Sequence, residues 1–197
     1  MEATPQDRQD IADLMTGWIH RDLGEWERLR QLFHSDGRIE VTWFEGLASD
    51  FVDASARMGA SDFRTKHLVM APVVTFSADG TRAFARTNAV IIGENVKLAL
   101  GCNAHSRFLD RIERRDGSWR ILDRRCVYDF ATFTFPGPPV EIDEAELANH
   151  PREFGALAYL LNASGFPVKR TFPTKGSAQE HDIKQSAHDW LNGKGQA

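Results

Sequence analysis

An α+β fold is predicted, and three observations predict it. Helical periodicity is confined to the first third of the chain and to a C-terminal tail. Long alternating stretches lie between the two. Tight Asp-Gly turns at Asp79-Gly80 and Asp116-Gly117 join those stretches into hairpins. Strands of this length on short turns make a strongly curved antiparallel sheet, and the early helices must cover its concave face.

The first helix opens at Thr4-Pro5-Gln6-Asp7. Thr4 can cap, proline suits the first helical position, and Asp7 sits three residues after the cap. Ile11, Leu14, Met15, Trp18, Ile19 and Leu23 continue as an apolar stripe, and Gly24 is a left-handed stop before a second helix over Glu25–Phe33. Asp22 falls in the last turn, where the negative end of the helix dipole disfavours a carboxylate. Its placement calls for another reason, of which a solvated turn is one.

Ser35-Asp36-Gly37 is a turn, and Arg38–Phe44 alternates as a strand with Ile39, Val41 and Trp43 on one face. Asp50–Met58 reads as a third helix. Strands are then expected over Thr65–Ser77, with Pro72 implying an edge or bulge, and over Thr81–Gly93, Lys97–Arg114 and Ser118–Phe135. Pro136-Gly137-Pro138-Pro139 ends the last of them. Beyond it, Pro151–Leu161 and Ser177–Asn192 are helical, the latter with Ser177 and Glu180 as a capping box. Residues 1–135 form the sheet domain and residues 136–197 an extension too small for its own core, packed on the domain or on a neighbouring subunit.

Composition narrows the function. Of the 197 residues, 42% are hydrophobic, enough for a core, and a formal charge of −4 leaves no basic footprint for nucleic acid. No apolar run approaches a membrane span, and the N-terminus lacks the pattern of a secretory signal. Cys102 and Cys126 make neither a disulfide framework nor a metal-ligand spacing, which fits a reducing compartment. A cytoplasmic protein is expected, with no metal.

A sheet curved around helices encloses a conical cavity. His67 shares a strand face with Val69, Ala71 and Val73, where a lone histidine is a core residue or a base. Arg124 shares a face with Cys126, Tyr128 and Phe130, and an arginine among apolar neighbours wants an anion, a carbonyl or a salt bridge. His20, His34 and His105 read as surface or interface residues.

The order helix–glycine–helix, Asp36-Gly37-Arg38-Ile39-Glu40-Val41, a lone histidine opening a strand, and FLDRIERRDGSWRILDRR near the end resembles the SnoaL-like branch of the nuclear-transport-factor-2-like superfamily. That branch contains scytalone dehydratase, hexachlorocyclohexane dehydrochlorinase and bile-acid dehydratases. The resemblance covers about residues 6–135 and implies a cone-shaped cystatin-like α+β barrel. It places Asp22 and His67 at the positions of the lyases' Asp–His dyad and Arg124 at the dehydrochlorinase's arginine. A neutral imidazole can take a proton from an activated carbon while a carboxylate behind it fixes the tautomer. Arg124 would stabilise developing negative charge, and Tyr128 would protonate a leaving hydroxyl.

Trp18, Ile39, Val41, Trp43, Val69, Ser106, Phe108, Cys126 and Phe130 would line a pocket for an apolar, ring-containing substrate. The dehydrochlorinase's lysine, about a turn before its aspartate, has Gly17 and Trp18 in its place here. Only Tyr128 and Tyr159 are available for the tyrosine pair of scytalone dehydratase. The implied activity is a cofactor-independent lyase expelling water or a small carbon fragment such as formaldehyde from a small hydrophobic or aromatic molecule. An isomerase or polyketide cyclase, or a non-catalytic subunit of a ring-hydroxylating dioxygenase, are the other activities on this fold. Homo-oligomers, dimer or trimer, burying the convex face of the sheet are expected.

Overall fold

The computed structural model describes residues 3–194. Helix α1 (Pro5–Thr16) starts as its cap predicts: Thr4 Oγ1 accepts from the Asp7 backbone at 3.1 Å, and the Asp7 carboxylate accepts from the Thr4 backbone at 2.8 Å. Asp7 also accepts from Trp119 Nε1 at 2.8 Å and Arg114 at 3.0 Å, which ties the helix start to the sheet. These donors, the Thr4 backbone foremost, hold its carboxyl at about 2.

The expected unbroken helix to Leu23 is instead two. The chain kinks at Gly17, where an added Cβ would lie 2.7 Å from Leu32 Cδ2, and restarts as α2 (Ile19–Asp22). Trp18 stays buried, but Ile19 and Leu23 are 47% and 58% exposed, so the apolar stripe ends at Trp18. Gly24, at φ +70°, stops α2, and α3 (Trp26–Gln31) follows.

The single strand expected over Arg38–Phe44 is a hairpin. Strands β1 (Phe33–Val41) and β2 (Phe44–Leu47) pair with Val41 opposite Phe44, leaving Thr42 and Trp43 as the turn. Helix α4 (Ala48–Gly59) closes over it. The Thr65–Ser77 stretch divides at Met70–Pro72 into β3 (Phe63–Val69) and β4 (Val73–Phe76), because proline cannot donate to the ladder. Alternation restarts there, so Val73 is 60% exposed while Val74 and Phe76 pack inward.

Both strands pair with β5 (Arg82–Asn95), which continues through β6 (Leu100–Arg115) to β7 (Ser118–Thr134). Sheet order is β2-β1-β7-β6-β5-β3. The antiparallel sheet expected from the hairpins is present in every pairing but one. β1 runs parallel to β7, with Ile39 opposite Arg124, since no hairpin joins them. Two bulges in β7, at Leu122 and Asp129, offset its register with β6 and increase the sheet's curl.

The extension wraps both sides of the sheet. Helix α5 (Glu144–Leu147) leads to α6 (Gly155–Ala163), which places Leu157 and Leu161 in the concave core. Past the point where β1 leaves β7, Pro173 to Lys175 take its place: Tyr128 N donates to the Pro173 carbonyl at 3.0 Å, and Lys175 N donates to that of Tyr128 at 2.9 Å. Helix α7 (Ala178–Leu191) then crosses the convex face, seating Ala187, Trp190 and Leu191 on Phe84, Leu109, Leu122 and Val127. Part of the face expected at an oligomer interface is thus covered by the chain itself. Ser177 caps α7, but only half of the expected box forms, because Glu180 turns to Gly176 N, Arg107 and Lys184.

Candidate active site

Asp22 and His67 meet. The short α2 ends against β3, so Asp22 Oδ1 accepts from His67 Nδ1 at 2.6 Å while its Oδ2 accepts from the His67 backbone N–H at 2.6 Å. Both carboxylate oxygens are engaged, which fixes the imidazole ring and leaves Nε2 for the cavity. The side chains of His67 and Asp22 are 6% and 1% exposed. Burial pushes the imidazole below its ordinary value against the pull of Asp22, with the cations of Arg21 and Arg124 acting in the same direction as burial. Burial alone would raise the Asp22 carboxyl, yet the bonds from His67 outweigh it and hold it below the usual carboxylate range.

His67 lines a cavity of about 30 Å³, room for about one water. Trp18, Val41, Trp43 and Phe108 line it as expected, and Trp18 meets the imidazole edge-on at 5.9 Å. Tyr128 lines it too, wholly buried, its hydroxyl accepting from Thr42 N at 3.1 Å. Burial, above all, holds that phenol protonated, well above its ordinary value.

Other expected lining residues do not reach it. Ile39, Ser106 and Cys126 are buried elsewhere in the core, with the Ser106 hydroxyl donating to Ala89 O at 3.3 Å. Burial raises the Cys126 thiol to about 11. Val69 sits half-buried at the core's edge. Phe130 is 51% exposed and stacks on His105 at 4.1 Å outside the sheet, because the Asp129 bulge reverses the alternation of β7. His34, expected at the surface, is buried with Nε2 3.1 Å from the Glu113 carbonyl.

Arg124 is fully buried but does not line the cavity. Its Nε and Nη2 donate to Asp110 at 2.7 and 2.9 Å, and its guanidinium lies 4.5 Å from the Trp18 ring and 4.3 Å from Phe108. Those rings, rather than the guanidinium, form the cavity wall. The arginine that does line it is Arg21. Its Nη1 donates to Thr65 Oγ1 at 2.6 Å, its Nη2 reaches Met58 Sδ at 3.3 Å, and the Asp22 carboxylate is 4.0 Å away. Burial lowers this guanidinium to about 10 against the pull of Asp22. The signal for Arg21 was present in the spacing: Trp18, Arg21 and Asp22 stand at i, i+3 and i+4 on one face of α2.

A wider groove of about 610 Å³ lies outside the sheet, but its charges answer one another, Arg170 pairing with Glu40 and Glu45. Among the described residues no group of three His, Cys, Asp or Glu side chains is placed to hold a metal. No described helix is long and apolar enough to cross a membrane.

Residues 3–125 match the SnoaL-like domain family. The chain belongs to that family. An uncharacterized protein of Emericella nidulans is 27% identical over 207 residues, covering 95% of this chain and 87% of that one. Among solved structures, the type 2 hexachlorocyclohexane dehydrochlorinase LinA is similar at 17% identity and a TM-score of 0.59, over 68% of this chain and 96% of its own. A scytalone dehydratase-like protein from Novosphingobium aromaticivorans is similar at 21% identity and a TM-score of 0.56, over 68% and 94%. These likenesses are of fold. The SnoaL-like match spans Asp22, His67 and Arg124 and ends before Tyr128 and the extension that supplies Leu157 and Leu161 to the cavity wall.

Proposed function

We propose that this SnoaL-like protein is a cofactor-independent lyase that acts on a small hydrophobic, ring-containing molecule through the Asp22–His67 dyad. One observation carries the reading: a buried imidazole, bonded through Nδ1 to a carboxylate at 2.6 Å, lines an aromatic cavity. Burial keeps His67 neutral at neutral pH, so Nε2 is free to accept a proton from a carbon made acidic by a neighbouring carbonyl. Asp22 holds the tautomer and stabilises the imidazolium that forms. In a dehydration the C–H pair becomes the new double bond, the adjacent C–O bond breaks, and the hydroxyl leaves with that bond's electrons. Tyr128 hydrogen-bonds the departing oxygen, and His67 returns the proton to it, so that water departs and the dyad is restored. Loss of formaldehyde from a side-chain diol is a variant: His67 takes the terminal hydroxyl's proton, the freed O–H electrons become the C=O of formaldehyde, the C–C bond breaks and its electrons form a C=C bond, and the second hydroxyl leaves with the proton from His67 as water.

His67→Ala should lose nearly all turnover while the protein stays folded. Asp22→Asn should lose much of it, because an amide can hold the wrong tautomer. Turnover and unfolding midpoint are read on the same variants. A destabilised but active His67→Ala protein, with a loss of about 1 kcal/mol as for a deleted hydrogen bond, would end this reading.

A further inference from the structure

Behind the cavity lies a second space. A cleft of about 400 Å³ opens between α2, α4 and β3, and Arg21, Met58, Phe63 and Thr65 line both it and the inner cavity. These four side chains are the partition. No ring compound fits the inner cavity as it stands, so part of the wall must move. Arg21 and Met58 are its movable members: one is held by a hydroxyl, a thioether and a carboxylate 4.0 Å away that is bonded to His67, and the other is an unbranched chain with freely rotating bonds.

The cleft's chemistry says what would move them. Arg21 and Arg64 line it against one carboxylate, that of Asp22, whose two oxygens are already taken by His67. Ser55 lines it as well, 2% exposed, with a buried hydroxyl that has no partner. The Trp26 ring forms its apolar side, packed over Gly24 and Gly59, where an added Cβ would sit 3.6 and 3.5 Å from it. A guanidinium whose planar fork holds only a hydroxyl and a thioether, an unused hydroxyl and an indole face together suit a flat ring bearing a carboxylate.

We propose that this cleft is the substrate's entrance and that Arg21 there recognises a carboxylate on the ring compound. The carboxylate replaces Thr65 and Met58 as partners of the guanidinium, so recognition and opening of the partition are one event. This rests on the lyase reading for what happens next but not for the binding itself.

The test is calorimetric titration with benzoate and with its neutral isostere benzamide. Benzoate should bind about tenfold more tightly to the wild-type protein, the gain of one charge-assisted pair. Arg21→Met should bring the two probes to parity, an effect that a structural role for Arg21 would not produce. Arg21→Lys carries the test if the methionine variant fails to fold. It keeps the cation but not the fork, and should retain the preference while binding benzoate severalfold more weakly. Gly59→Leu, which fills the cleft beside Trp26, should abolish benzoate binding. A benzoate preference in the wild-type protein beside full turnover in His67→Ala would fail the lyase reading alone, and equal affinity for the two probes beside lost His67→Ala turnover would fail this proposal alone. Equal affinity for the two probes, no benzoate binding in the millimolar range, or benzoate binding unchanged by Arg21→Lys or Gly59→Leu would overturn it.

Discussion

Arg124 and Arg21 are both buried against aromatic rings near His67, yet their charges are answered differently. Arg124 lies on β7 with Asp110 beside it on β6, and the carboxylate takes two of its N–H groups. Arg21, on α2, has a threonine hydroxyl, a methionine sulfur and a distant share of Asp22. A buried cation without its own anion is held by the rest of the fold at some cost, and such a group is available to a ligand. The paired arginine braces Trp18 and Phe108, while the underpaired one faces the cavity and the cleft. Resemblance to the dehydrochlorinase pointed to Arg124 as the charge that meets the substrate, and the geometry turns attention to Arg21.

The largest effect that sharpens the comparison is expected from Asp110→Ala. It strands the Arg124 guanidinium in the core and should cost about 3–5 kcal/mol in denaturant unfolding. Arg21→Met should cost far less, about 1 kcal/mol, the worth of the Thr65 hydrogen bond. Equal losses for the two variants would break the comparison.

A smaller effect is expected from pH. Burial lowers His67 below its ordinary 6.5, so on acidification the unfolded chain takes up this proton before the folded one does. The stability linked to His67 is therefore complete above 6.5 and declines as pH falls towards the folded value. His67→Asn should flatten that part of the midpoint profile, which lies below 6.5. An unchanged profile would mean that the imidazole is not held neutral between the two arginines.

The dyad was legible because its residue types recur in a known pattern, and the structure brings the two side chains into contact. Arg21 is less legible, because the apolar Ile19 and Leu23 on either side of it look like the inward-facing residues. In the structure Ile19 and Leu23 are exposed, while Arg21, at i+3 from Trp18, is buried. Phe130 is less legible for a different reason. Strand alternation has a period of two, so the one extra residue at Asp129 moves every later side chain in β7 to the opposite face. The division of Thr65–Ser77 was half legible, since Pro72 marked an irregularity without saying that two strands would result.

Features decided within a few residues could be read directly. The Thr4–Asp7 cap, the left-handed Gly24, the turns at Asp79-Gly80 and Asp116-Gly117 and the long hairpin strands rest on local hydrogen bonds and backbone sterics, which neighbouring residues supply, whereas the turn expected at Ser35-Asp36-Gly37 lies within β1. Features that join distant segments could not. The parallel pairing of β1 with β7, the Asp110–Arg124 pair, the seating of α7 on the convex face and the wall that Leu157 and Leu161 add to the cavity each depend on where the sheet's curl brings elements together. That curl is set by bulges that no single residue type announces, so the register they fix appears only once all the strands are in place.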